Sequence, residues 1–318
     1  MATPTQEEGN AMPTFDTPEP ILAIIDMATA NVRIDASDRT DTVVEVRPSD
    51  EFNDADVQAA RHTQIEYADG RLLVRADKEQ TGSASGWGLS LDRLIESPKD
   101  WARSLLLGSG SVDVTVSLPA GSRVDAKTEA SLRCQGPLGE VSFTTSYGGI
   151  RIEQAGRLRL KSTYGDISVN RSSGHAEITG THGGISIGEI DGTAAVKTAH
   201  GDVRLGEVTG ELRLHSSHGD IAVDRALAGA VAKTAYGSVR IGEVVSGSVF
   251  METTGGGLEL GIPEGTAAWL DVSSKYGTVD VSLDSSDGPG QLDQVIEVRA
   301  HTTHGDIVIH RSDAPRRL

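Results

Sequence analysis

Three histidines, His182, His200 and His218, stand 18 residues apart. Tyrosines extend the same series at Tyr147, Tyr164 and Tyr236, with Tyr276 and His304 further along. Two carboxylates, Asp202 and Asp220, follow their histidines at a distance of two residues. Residues of these types can do three kinds of chemistry. Imidazoles gathered with carboxylates can hold a divalent ion, although a linear stack supplies tetrahedral geometry poorly. Flat rings in a row can carry a sugar or another flat ligand. Rings can also stack on one another, for about 0.5–1.5 kcal/mol a pair. A glycosidase or lyase site, by contrast, needs a singular cluster of carboxylates, and Asp166, Asp202 and Asp220 repeat as a column.

What holds the rings decides among these. Each ring residue opens one short phrase, as in Tyr164-Gly165-Asp166-Ile167, His200-Gly201-Asp202-Val203 and His218-Gly219-Asp220-Ile221. From Tyr147 the ring position advances by 17 residues and then by 18 four times in succession. Eighteen residues are too few for a propeller blade or a helical hairpin repeat. They suit one coil of a β-solenoid, with successive coils stacked in parallel about 4.8 Å apart. Apolar residues at every second place, such as Val203 and Leu205 or Leu212 and Leu214, mark strands with one face inward.

The glycines after the rings, Gly148, Gly165, Gly183, Gly201, Gly219 and Gly237, are expected as corners, where positive φ is free of Cβ strain. Two residues before each ring comes Thr145, Ser162, Gly180, Thr198, Ser216, Thr234, Thr253, Ser274 or Thr302. This column predicts inward hydroxyls bonded from coil to coil, since buried polar groups need partners. The ring column itself is expected on an exposed edge. Columns that mix Arg171 and Arg225 with Glu189, Glu207 and Glu243 read as a solvated, charge-balanced surface.

Along the chain, residues 1–19 read as a flexible leader rich in proline, and residues 20–118 as N-terminal β coils. Asp54 to His62 has helical spacing, and Asp69-Gly70 between two apolar runs is a strong hairpin signal. A helical insertion is expected at 86–108, carrying Trp87, Leu91, Leu94, Ile95, Trp101 and Leu105. Its apolar face either packs on the body or docks a partner. Its mixed flanking charges make membrane-surface contact the weaker version. Regular coils fill 119–262, irregular ones 263–312, with His304 to Ile309 read as the last, and 313–318 is a tail.

Bulk properties exclude several classes. A formal net charge of −17 leaves no cationic groove for a nucleic acid. Cys134 is the sole cysteine, so neither an intrachain disulfide nor a thiolate zinc site can form, and it reads as a buried hydrophobe. There is no P-loop and no HExxH, and no cofactor is expected. The polar N-terminus and the lack of any run of about 18 apolar residues predict no membrane span and a cytoplasmic location.

At its repeats the chain resembles the DUF4097 family, bacterial proteins labelled as candidate adhesins. The likeness is carried by Met12-Pro13-Thr14-Phe15-Asp16, by the stretch from Asp38 to Pro48, by Ser111-Val112-Asp113-Val114, by Leu118-Pro119-Ala120-Gly121-Ser122, by the Gly-Asp-Ile/Val corners, and by Gly265 to Val272. It covers nearly everything from residue 12 to 312. The resemblance implies an all-β, right-handed β-helix fold and a surface or scaffold role, and it supplies no catalytic residues. Where this chain has Tyr or His, the family commonly has Asn, Gly or Ser. The expected function is a non-enzymatic scaffold or binding module for a protein partner or for self-association, presenting the ring ladder and the Trp-bearing insertion. A carbohydrate-binding or carbohydrate-active β-helix is the alternative, and metal binding by the histidines a lesser one.

Overall fold

Strict alternation of apolar and polar side chains buries one face of a strand, and nearly every strand here alternates in that way. The structure, a computed structural model, describes residues 12–76, 110–283 and 295–312. The chain divides into two compact units, Met1–Gly136 and Pro137–Leu318.

In the first unit the elements are β1 (Thr14–Asp16), β2 (Leu22–Asp26), β3 (Ala30–Ser37), β4 (Asp41–Pro48), α1 (Asp54–Arg61), β5 (Thr63–Ala68), β6 (Arg71–Ala76), β7 (Val112–Pro119), β8 (Arg123–Thr128) and the start of β9 (Leu132–Tyr147). β2 lies in parallel register between β6 and β8, and β3 between β7 and β9. The first coil in sequence is therefore an inner rung in space. Outside β6 and β7 the direction reverses: β5 runs antiparallel to β6 and β4 to β7. Thr14–Asp16, inside the stretch read as leader, adds β1 antiparallel to β4. The β5–β6 turn takes Asp69 at φ 49° and Gly70 at φ 71°, two left-handed residues matched to the twist of a tight hairpin.

Helix α1 forms where expected. The Asn53 side chain accepts a hydrogen bond from the Ala55 N–H at 2.9 Å and caps it. Asp56, buried in the helix, accepts from the N–H groups of Asp50 and Ser111 at 3.0 and 2.8 Å. Cys134 is buried, and that burial, with Asp35 nearby, pushes its thiol well above the ordinary range, so it is a packing residue and not a nucleophile. The expected insertion at 86–108 lies outside the described residues.

The second unit is the regular solenoid. After the rest of β9 come β10 (Ile150–Tyr164), β11 (Ile167–Ser172), β12 (Ala176–His182), β13 (Ile185–Ile190), β14 (Ala194–His200), β15 (Val203–Val208), β16 (Leu212–His218), β17 (Ile221–Ala226), β18 (Ala230–Tyr236), β19 (Val239–Val244), β20 (Ser248–Gly255), β21 (Leu258–Ile262), β22 (Ala267–Tyr276), β23 (Val279–Ser282), β24 (Val295–His304) and β25 (Ile307–Arg311). Each coil contributes two strands to two parallel stacks. One stack runs β11-β13-β15-β17-β19-β21 and the other β12-β14-β16-β18-β20. Ile167, Ile185, Val203, Ile221, Val239 and Leu258 form one inward column, each no more than 2% exposed.

His304 to Ile309 ends in the last strand of the chain, but the last rungs are not stacked in chain order. β24 pairs with both β20 and β22, and β25 with both β21 and β23. The final stretch of chain is inserted, and β22 and β23 form the terminal rung. Val279 and Val281 pair with the buried Ile307 and Ile309, yet are themselves 43% and 39% exposed, because among the described residues no further strand covers them.

The hydroxyl column is buried as expected, apart from the half-buried Ser274 of the terminal rung, and its bonds between coils go to backbone carbonyls. Thr253 donates to Gly237 O at 3.0 Å, Thr302 to Gly256 O at 3.0 Å, and Ser274 to Gly305 O at 2.8 Å. Gly180 interrupts the column, and Ser162 Oγ and Thr198 Oγ1 on either side have no partner among the described residues. A Cβ at 180 would meet Ile185 Cδ1 at 3.4 Å and Thr198 Oγ1 at 3.5 Å, which are ordinary contacts. Gly180→Ser is therefore expected to stabilise by about 1 kcal/mol, through a stiffer unfolded chain and a partner for an orphaned hydroxyl. Urea unfolding beside wild type measures this, and a lowered midpoint would show that the gap itself is needed.

Candidate functional site

Each glycine corner is closed by backbone bonds between coils. The N–H groups of Gly183, Gly201 and Gly219 donate to the carbonyls of His200, His218 and Tyr236 at 3.1, 3.0 and 2.9 Å. At Gly201, φ is +131°, and a Cβ would stand 2.1 Å from Gly183 O. The corner thus needs glycine for two reasons, its left-handed φ and the close approach of the coil beside it. From ring to following apolar residue the count is three in every coil, whereas the 17- and 19-residue steps arise at the opposite turn. There, only two residues separate Ala155 from Leu158 and four separate Val244 from Val249.

The aspartates of the phrase serve the same corners. Asp166 accepts from the Gly184 N–H at 2.8 Å, Asp202 from the Asp220 N–H at 3.1 Å, and Asp220 from the Ser238 N–H at 2.8 Å. Asp306 takes both the N–H and the hydroxyl of Thr278 at 2.8 Å, and these bonds, the N–H first, hold its carboxyl below the usual range. That anchoring is present at neutral pH and is lost as pH falls through the lowered value. These carboxylates are structural acceptors that tie one coil to the next. Arg225 bridges Glu207 at 3.4 Å and Glu243 at 3.0 Å, and Arg171 meets Glu189 at 3.1 Å, as the charge columns predicted.

With the corners fixed, the residue before each glycine projects outward and stacks on its neighbour. Ring centroids are 5.4 Å apart for Tyr147 and Tyr164, 4.8 Å for Tyr164 and His182, 4.9 Å for His182 and His200, 5.0 Å for His200 and His218, and 5.2 Å for His218 and Tyr236. Tyr276 and His304 form a separate pair at 4.9 Å. Tyr147, Tyr164, His200, His218, Tyr236, Tyr276 and His304 are exposed and His182 is half-buried, which answers the question of which way the column faces. Hydroxyls beneath help set the backbone: Thr145 donates to Tyr147 O at 2.6 Å and Ser216 to His218 O at 3.3 Å.

This geometry sorts the chemistry. The planes of His182, His200 and His218 are tilted by only 3° and 4° from one to the next. Imidazole lone pairs lie in the ring plane, so parallel rings about 5 Å apart cannot converge on one ion that needs nitrogens at about 2.0–2.1 Å. Among the described residues no group of three or more His, Cys, Asp or Glu is placed to hold a metal. A sugar platform needs open π faces, and here the inner faces cover one another. What the ladder offers to solvent is a row of ring edges, with phenol and imidazole polar groups at fixed spacing. The series breaks at one rung, Gly255, which lies between Tyr236 and His304 in register. The signal for this break in the sequence is a glycine in a column otherwise of rings. Trp87, Leu91, Leu94, Ile95, Trp101 and Leu105 lie outside the described residues.

Among the described residues no helix is long and apolar enough to cross a membrane. Solved structures that align with the chain include a candidate adhesin from Parabacteroides merdae, at 12% identity and TM-score 0.39, covering 94% of this chain and 95% of that one. A candidate adhesin from Bacteroides fragilis aligns at 13% identity and TM-score 0.33, covering 95% and 98%. A candidate cell adhesion protein from Clostridium sporogenes aligns at 13% identity and TM-score 0.20, covering 95% and 99%. A comparison with curated proteins finds no match. The family model described as Toastrack DUF4097 matches residues 23–310. A match over that length makes the chain a member of the Toastrack DUF4097 family.

Proposed function

We propose that this chain is a non-enzymatic binding scaffold whose recognition surface is the ring ladder. The observation that carries this reading is the six-ring stack from Tyr147 to Tyr236, held outward on corners that tie each coil to the next. Aromatic rings with polar tips are favoured at protein interfaces, where one end is dry and the other wet. Stacking has already ordered these rings, so less side-chain entropy is lost when a partner docks on them.

The test is capture from the native cell with wild type and with a ladder variant carrying Tyr→Ser at 147, 164 and 236 and His→Asn at 182, 200 and 218. The variant is expected to keep its β circular dichroism and to lose at least tenfold of its partner. A partner retained in full by a folded ladder variant contradicts the reading. Deletion of residues 86–108 forms the second arm, because that Trp-bearing stretch is the other candidate surface and rests on its sequence alone.

Self-association is a second reading, favoured by the terminal rung. Among the described residues no strand covers this edge, and with Val279 and Val281 exposed it is a template for pairing with another chain. Sedimentation over a concentration series tests it, and a monomer at every concentration ends it. We place the scaffold in the cytoplasm, a proposal supported by its single buried thiol and tested by cell fractionation.

A further inference from the structure

We propose that the break in the ladder at Gly255 is a slot for one planar aromatic ring, supplied by a side chain of a protein partner. This rests on the reading of the ladder as a binding surface and narrows it to one point. Gly255 pairs with Tyr236 on one side and His304 on the other. Tyr236 and His304 are therefore two strand spacings apart, about 9.6 Å. A ring midway would lie about 4.8 Å from each, within the spacing at which these solenoid rings already stack, 4.8 to 5.4 Å.

Exposure agrees with an open face. Tyr164, with a ring on both sides, is 46% exposed, whereas Tyr236 is 57% exposed, close to the 59% of Tyr147 at the start of the stack. Tyr236 behaves as a ladder end although the ladder resumes one rung later. Its ring is tilted 19° from His218 and leans towards the gap, so that a Cβ on residue 255 would stand 3.3 Å from Tyr236 Cδ1. An incoming ring must straighten it, which an exposed tyrosine can do.

The floor of the slot carries no side chain, since Gly255, Gly256 and Gly257 follow one another. Two polar groups near it are engaged: Ser238 Oγ accepts from the Gly257 N–H at 3.3 Å, and Asp306 Oδ1 accepts from the N–H and hydroxyl of Thr278 at 2.8 Å. Neither is a cation that would anchor the carboxylate or phosphate of a free metabolite. The walls are a phenol and an imidazole two ladder spacings apart, so the missing piece has the shape of one more amino-acid ring.

The test uses the full chain with ring-labelled Tyr and His, titrated with N-acetyl-tryptophanamide as probe and followed by NMR. Saturable upfield shifts are expected at Tyr236 and His304, larger than at Tyr147, with a dissociation constant in the millimolar range. N-acetyl-cyclohexylalaninamide, which is not flat, should bind at least tenfold more weakly. Gly255→Tyr fills the slot and should abolish the shifts, while Gly255→Ala leaves it open and should keep them. Should Gly255→Tyr fail to fold, His304→Asn removes one wall and should weaken the probe at least fivefold. Equal binding by the saturated analogue, or by Gly255→Tyr, overturns the slot. Loss of the probe in Gly255→Tyr with undiminished partner capture also overturns it, and leaves the ladder reading standing. A ladder variant that keeps its partner overturns the broader reading instead.

Discussion

Gly201→Ala is expected to cost on the order of 3–5 kcal/mol, a large fraction of the stability of a typical single domain. Two effects add. The left-handed φ of +131° is strained for any residue with a side chain, and the new Cβ would stand 2.1 Å from Gly183 O, part of the adjoining coil's rigid corner. Relief would require parting two coils whose backbones are bonded through the corner. Gly70→Ala is the control. Its φ is +71°, but nothing lies within 4 Å of the added Cβ, so only the conformational strain of about 1–2 kcal/mol remains. Paired urea titrations measure both. Equal midpoints for the two variants would refute the claim that close coil-to-coil approach dictates the glycine.

Excision of one coil should be tolerated only in register. Removal of Gly201 to His218 joins His200 to Gly219, and because His200 and His218 are register partners the new junction copies an existing corner. Each coil touches chiefly its neighbours, so the shortened chain should fold cooperatively with one rung and one ring fewer. Removal of Gly201 to Ser217 leaves one residue extra at the same corner. A one-residue slip turns inward side chains outward, and this corner never varies in length. That variant should be destabilised by several kcal/mol or fail to fold, on the order of a buried-core disruption. Circular dichroism melts of the two excisions decide the matter. Similar melts would mean that the corner absorbs an insertion as the opposite turn does.

Much of this architecture was legible because it is local. A hairpin at Asp69-Gly70, helix α1 and the 18-residue coil all follow from turn residues and alternation within a few positions. Rung order was not legible. Every solenoid strand carries the same alternation, so nothing in Val295 to His304 says that it stacks on β20 before β22 does. Position along the chain is a poor guide when any coil edge can receive any other. For the site, the outward stacking of the rings could be inferred from their bulk beside a thin core. The work of Asp202 and Asp220 could not, because bonding to the next coil's N–H depends on register across 18 residues. The break at Gly255 was visible as a glycine among rings, but its meaning as a gap of one ring needed the partners on both sides.

The central claim is that the outward ring stack is what a partner touches. Diethyl pyrocarbonate modification, read by mass spectrometry with the captured partner present and absent, tests it most directly. His182, His200 and His218 lie in the ladder, while His175 and His215 are exposed outside it and serve as internal controls. At least fivefold protection of the ladder histidines is expected on partner binding, with His175 and His215 unchanged. Ladder histidines modified at the free rate while the partner is bound would contradict it.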